Sequence, residues 1–175
     1  MNAVLDSPEP VPGVARQDYL EAMARAVAGV SVVSTDGHAG RAGLTVSAMT
    51  SVSADPPLLL VCIHGQSPVE AVLRENRVFC VNLLGSQQQR VAEVFAGLHR
   101  EHFTSRFDCA RWRILATGAP VLEGAVAAFD CELHEQTLMG SHRVLFGRVL
   151  ATVQQPGEPL LYTGRRFGEP RIFHR

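Results

Sequence analysis

The sequence predicts a mainly β protein, an antiparallel β-barrel with a few short flanking helices, and three observations carry that prediction. Six or seven short apolar or alternating runs recur along the 175 residues, at the spacing of strands. Turn signals such as Asp36-Gly37 and Pro156-Gly157 separate them. Few of the intervening segments are long enough for the helical crossovers that a parallel sheet requires.

Taken in order, residues 1–15 read as a flexible, Pro-rich lead, and residues 16–175 as one domain. From Asp18, the residues Tyr19, Leu20, Met23, Ala26 and Val27 recur at helical spacing, so a first helix is expected to run to about Ala28 and to end at Gly29. Val30–Thr35 is a β-branched strand. After the Asp36-Gly37 turn, Gly43–Asp55 reads as one continuous partner strand, stopped by Pro56-Pro57. Its period-2 pattern places Leu44, Val46, Ala48, Thr50 and Val52 on one face. Thr45, Ser47, Met49, Ser51 and Ser53 fall on the other. Leu58–Ile63 is apolar throughout, the pattern of a strand covered on both faces.

Helix-start signals then accumulate at Ser67 (N-cap), Pro68 (first helical position) and Glu70 (capping box), with the helix ending near Asn76. Val78–Leu84 is a buried strand, and Ser86 with Gln89 opens a further helix through Phe95-Ala96. Gly97–Ala119, which holds the single tryptophan, Trp112, reads as a long loop with some helix. Strands resume at Val126–Leu133, Arg143–Val153 and Leu160–Tyr162.

Composition narrows the chemistry. The formal net charge of -1 gives no general attraction for nucleic acid. All 16 basic residues are arginine, so neither lysine Schiff-base chemistry nor a lysine-bearing phosphate loop is available. No apolar run is long enough to span a bilayer, and the Pro-rich segment Met1–Val14 lacks the basic start and apolar core of a signal peptide. A cytoplasmic protein without membrane contact is therefore expected. Cys62, Cys80 and Cys131 lie in apolar runs and, like Cys109, form no C-x-x-C pair. Buried free thiols are expected, and no metal site. A Rossmann fingerprint, a nucleophile elbow and an H-E-x-x-H motif are all missing.

Four features suit ligand chemistry. The hydroxyl face of Thr45, Ser47 and Ser51 is too polar for a core and too small for an ordinary wet surface. Its small side chains would let a flat polar heterocycle approach the backbone, or would pack under another loop with their hydroxyls bonded to main chain. The Gly65-Gln66-Ser67-Pro68 turn opens a helix and would cradle a phosphate, or cap only itself. His142, in Gly140-Ser141-His142, would bond a ligand amide, move a proton or finish a turn. Arg165-Arg166-Phe167 would hold a phosphate, stack on a base or lie in solvent.

Four blocks in order, "GLTVSAMTSVSADPPLLLVCI", "ENRVFCVNLL", "PVLEGAVAAFDCEL" and "GSHRVLFGRV", resemble the short-chain flavin reductases, the small components of two-component flavin monooxygenases. The reductase of 4-hydroxyphenylacetate monooxygenase is one example, and the match runs from about Ala22 to Phe167. The resemblance implies a split β-barrel, usually homodimeric, that binds FMN or FAD. It further implies hydride transfer from NADH or NADPH, nicotinamide C4 to flavin N5, and delivery of the reduced flavin to an oxygenase component.

Carried onto this chain, it implies that Thr45, Val46, Ser47 and Ala48 meet the isoalloxazine, and that Thr50 and Ser51 lie toward the ribityl phosphate. Gln66 and Ser67 would cradle that phosphate, His142 would stand near the nicotinamide, and Arg165 with Phe167 would line the same pocket. Two departures stand out. His64-Gly65-Gln66-Ser67-Pro68 replaces a loop that often carries Asn and paired serines, and Phe167-Gly168 replaces a frequent Tyr-His. A flavin- or haem-binding carrier or sensor on the same barrel, without a nicotinamide site, is the alternative.

Overall fold

The computed structural model describes residues 13–99 and 105–173. Most of the expected N-terminal lead, and part of the expected 97–119 loop, lie outside these residues. No helix among the described residues is long and apolar enough to cross a membrane.

Seven strands form one antiparallel sheet: Ser31–Thr35 (β2), Ala42–Val46 (β3), Met49–Ala54 (β4), Pro57–His64 (β5), Val78–Leu83 (β6), Ala127–Met139 (β9) and His142–Gln154 (β10). Their spatial order is β3-β2-β6-β9-β10-β5-β4. The two edge strands, β3 and β4, are neighbours in the chain, separated only by Ser47 and Ala48. A two-residue link cannot cross a flat seven-stranded sheet, so the sheet curls until its edges meet without pairing. The result is the expected split barrel.

Residues 43–55 are therefore two strands rather than one. The link also inverts the face: Leu44, Val46 and Met49 all pack on the barrel core, while Val52 is 46% exposed. Period-2 alternation holds only within an unbroken strand.

The barrel interior is filled by Val33, Val46, Leu59, Val61, Ile63, Phe79, Val81, Cys131, Leu133 and Leu145, closed by Leu73 from helix α2 (Pro68–Asn76). A second core lies on the opposite face of β2, where Val30, Val32 and Leu84 meet Val91, Ala92, Val94 and Phe95 of helix α3 (Gln89–Phe95). Cores on both faces leave all five residues of β2 buried. β5 differs from expectation. Leu59, Val61 and Ile63 are buried, whereas Leu58, Leu60 and Cys62 are only half-buried, because the helices pack over β2, β3 and β6 instead.

Gly147 on β10 is dictated by packing. A Cβ there would lie 2.5 Å from Phe79 Cζ and 2.9 Å from Cys131 Cβ. Cys80 and Cys131 are buried free thiols; Cys62 and Cys109 are free and partly buried. Burial, reinforced by the Asp130 charge, raises the Cys80 thiol, and the same two causes push Cys131 up to about 12.

Tertiary pairing alters the remaining boundaries. Helix α1 covers Arg16–Met23 and stops short of Ala28. Ala28–Gly29 (β1) is drawn into a small sheet with Leu161–Thr163 (β11) and Arg166–Gly168 (β12). Ser67 takes the N-cap position of α2 and Pro68 its first turn, but Ser67 makes no side-chain cap bond. Glu70 turns inward instead of completing a capping box. It is 5% exposed, and its Oε1 lies 2.5 Å from Arg143 Nε on β10, in a charge contact rather than an aligned hydrogen bond.

The expected helix after Leu84 is likewise capped differently. Gly85 donates its N–H to Gln88 Oε1 at 3.0 Å, and a 3-10 turn, Ser86–Gln88, precedes α3. Within the expected loop, Trp112–Ile114 (β7) pairs with Pro120–Leu122 (β8).

Candidate functional site

Because β3 is an edge strand, one side of its backbone is left without a strand partner. Two adjoining hollows follow that edge. The larger, about 520 Å³, runs past Ala42, Gly43, Leu44 and Thr45 to Ser67 and Val69, and is backed by Phe95, Ala96, Arg106 and Phe107. The smaller, about 310 Å³, continues past Thr45, Val46 and Ser47 to Tyr162, Arg165 and Phe167. Thr45 and Ala96 line both, so together they make one groove of the size usual for small-molecule sites.

Small side chains keep the groove open. Gly43 cannot be larger: a Cβ would meet Phe95 Cε1 at 2.7 Å and the Val33 carbonyl oxygen at 3.1 Å. The Thr45 hydroxyl donates to the Ala92 carbonyl at 2.7 Å, which holds the floor strand against α3. The wall is a set of edge-on aromatics in which Phe95 packs on Phe107 and Trp112, and Trp112 Nε1 donates to the Phe107 carbonyl at 2.9 Å.

Each end is polar. At one end, α2 begins at Ser67, whose hydroxyl makes no cap bond. Arg106 reaches the Gly43 carbonyl at 3.5 Å, and Arg41, paired with Asp36 at 2.7 Å, lies over the Phe107 ring at 5.4 Å. At the other end, Gly164 and Arg165 form the two-residue turn between β11 and β12, with φ of 56° and 62°. That geometry matches the right-handed strand twist, and it is unusual for an arginine. Tyr162 and Phe167 meet edge-on across the turn at 5.3 Å.

The structure thus gathers Thr45, Val46, Ser47, Ser67, Arg165 and Phe167 along one groove. The other expected site residues lie outside it. Ala48 is exposed and its carbonyl accepts from Cys62 N–H at 3.0 Å. Thr50 is exposed opposite Leu60, and Ser51 lines a separate hollow with Met49, Ser53 and Phe129. Gln66 is exposed and its N–H donates to His64 Nδ1 at 3.2 Å. His142 is exposed at the start of β10, in register with His64, the two rings edge-on at 5.2 Å. Its Nδ1 lies 3.0 Å from Ser141 Oγ.

Sequence reasoning missed Arg41, Gly43, Phe95, Ala96, Arg106 and Tyr162 as lining residues. Only Arg106-Phe107, a cation beside an aromatic in an otherwise irregular stretch, offered a signal of the kind used for Arg165-Arg166-Phe167.

Comparison with known proteins agrees with this architecture. A model of the flavin reductase like domain matches residues 23–171. The FMN reductase (NADH) RutF of Bradyrhizobium diazoefficiens is 46% identical over 156 residues, covering 88% of this chain and 85% of that protein. The NADH:FAD oxidoreductase of Streptomyces globisporus superposes with a TM-score of 0.79 at 30% identity, over 95% of this chain and 94% of that one. The styrene monooxygenase flavin reductase of Pseudomonas putida does so at 0.78 and 28% identity, over 89% and 99%. With the domain model spanning most of the chain and the fold matching throughout, this protein belongs to the flavin reductase like family.

Proposed function

We propose that the protein is an NADH-dependent flavin reductase that binds FMN or FAD in the groove along β3 and passes the reduced flavin to an oxygenase component. The observation that carries this reading is the groove itself, an unpaired strand edge with small side chains between two polar ends. A flat heterocycle with an anionic tail fits such a shape. Main-chain groups of Thr45, Val46 and Ser47 would bond the ring's polar edge, and Ser67, the first turn of α2 and Arg106 would hold the phosphate. The positions of Ala48, Thr50, Ser51 and Gln66 favour giving them no direct contact within a single chain. Names of relatives that cite NADH favour it over NADPH.

When bound, the flavin supplies the hydride-accepting chemistry. The chain's own work is orientation and exclusion. Tyr162 and Phe167 wall the end where the nicotinamide would stack, Arg165 would hold the dinucleotide, and main-chain N–H groups at the ring edge would stabilise developing negative charge. His142 stands in this reading as the residue near the nicotinamide, although within a single chain it lies outside the groove, on the turn that Gly65 N–H ties to the Ser141 carbonyl at 2.9 Å. A cytoplasmic homodimer completes the proposal.

The test is NADH oxidation by purified protein with and without added FMN or FAD, followed through the absorbance of the reduced nicotinamide. Turnover should require flavin, and His142→Ala should lower its rate while flavin affinity is kept. Flavin binding without any NADH turnover would overturn the reductase reading in favour of a carrier.

A further inference from the structure

Glu70 is the acidic residue of the first turn of α2. It follows directly on Ser67, Pro68 and Val69, which line the groove, but does not line the groove itself. A carboxylate at this position commonly folds back over the helix start and accepts from its N–H groups. Here it turns the other way and is 5% exposed.

Arg143 accounts for that inward turn. Its Nε lies 2.5 Å from Glu70 Oε1, whereas Arg74 Nε stands 3.7 Å from the same oxygen, and Arg74 also pairs with Glu75 at 3.7 Å. The backbone that carries Arg143 is fixed by the sheet rather than by α2. Arg143 is in register with Ile63 on β5, and the adjoining Ser141 carbonyl accepts from Gly65 N–H at 2.9 Å. With Glu70 drawn away from the helix start, the Ser67 hydroxyl is left without a cap bond at the end of the groove.

We propose that Arg143 is a positioning residue for the flavin phosphate: by pairing with Glu70 it keeps that carboxylate off the start of α2, so the groove takes FMN in preference to riboflavin. The proposal rests on the reading that puts the phosphate beside Ser67. Arg143 touches no ligand and acts through Glu70 alone. An unpaired Glu70 would compete for the first-turn N–H groups, which suit an anion. It would also repel a phosphate placed there, since like charges brought together are costly.

The experiment is calorimetric titration of the full-length chain with FMN and with riboflavin, which shares the ring and ribityl chain but has no phosphate. Wild type should bind FMN the more tightly. Arg143→Met should weaken FMN binding about tenfold and leave riboflavin binding unchanged, a split that general loosening of the fold would not produce. Glu70→Gln keeps the side chain's shape and removes its charge. It should hold the ratio of FMN to riboflavin affinity at or above the wild-type value, and it decides the matter even where Arg143→Met fails to fold. Unchanged FMN affinity in Arg143→Met, an equal loss of both flavins, or a lower ratio in Glu70→Gln overturns the proposal. No FMN preference in wild type overturns it as well, while flavin-dependent NADH turnover by that same protein would leave the reductase reading standing. The expected ratios without NADH turnover would refute the reductase reading and leave the role of Arg143 intact.

Discussion

The contact between Glu70 and Arg143 joins the first turn of α2 to the start of β10, and it offers a test of how this fold holds its site. The Glu70 side chain is 6% exposed and that of Arg143 24%. Replacing Arg143 by Met keeps the stem's bulk and removes the charge. Glu70 Oε1 would be left with only Arg74 Nε, 3.7 Å away. Breaking one side of a buried ion pair costs about 3–5 kcal/mol, and the partial exposure of Arg143 puts the expected value near ~3 kcal/mol.

With a urea slope of roughly 1–3 kcal/mol per molar, the unfolding midpoint of Arg143→Met should fall by about 1–3 M. Replacing both partners, Glu70→Leu with Arg143→Met, removes the stranded charge along with its partner. That double variant should recover to within about 1 kcal/mol of wild type. Equilibrium urea unfolding followed by tryptophan fluorescence and circular dichroism reads both values. An unchanged midpoint in the single variant would refute the reasoning, as would a double variant no more stable than the single one.

Two further outcomes follow from packing and titration. Gly147→Ala places a methyl 2.5 Å from Phe79 Cζ, and overpacking of this kind should destabilise by ~2–3 kcal/mol, a Tm loss of roughly 4–12 °C; an unchanged melting curve would show that Phe79 can move aside. The Cys80 and Cys131 thiols are raised from 9.0 by burial and by Asp130, so between pH 9 and about 12 the folded chain keeps protons that the unfolded chain releases. Stability is therefore full below pH 9 and falls above it, by up to ~1.4 kcal/mol per pH unit per thiol. Urea unfolding at pH 8 and pH 10 should show that fall, and a Cys131→Ala variant whose alkaline slope equals that of wild type would contradict it.

Much of this protein is legible locally. The β5 and β6 strands, the Ser67-Pro68 helix start, the Asp36-Gly37 turn and the long strand pair near the C-terminus all lie where apolar period and turn chemistry put them. These signals sit in consecutive residues, and the four ordered blocks carry the family with them. The single residues Thr45, Ser47, Ser67, Arg165 and Phe167 are also visible in the sequence, because small, capping or cationic residues are odd in strand patterns.

Tertiary structure decided what depends on distant partners. Ser47-Ala48 becomes a link between opposite sheet edges, since closing the barrel is a property of seven strands, and this reverses the face on which Met49 and Val52 lie. Glu70 faces Arg143, 73 positions away in the chain, and that buried charge contact outweighs a local cap. The groove itself exists because α3, the β11–β12 turn and an unpaired β3 edge converge. Its floor is lined by Gly43 and Ala96, residues with no chemical signature of their own. What they contribute is space, and space between elements is set by packing across the whole chain.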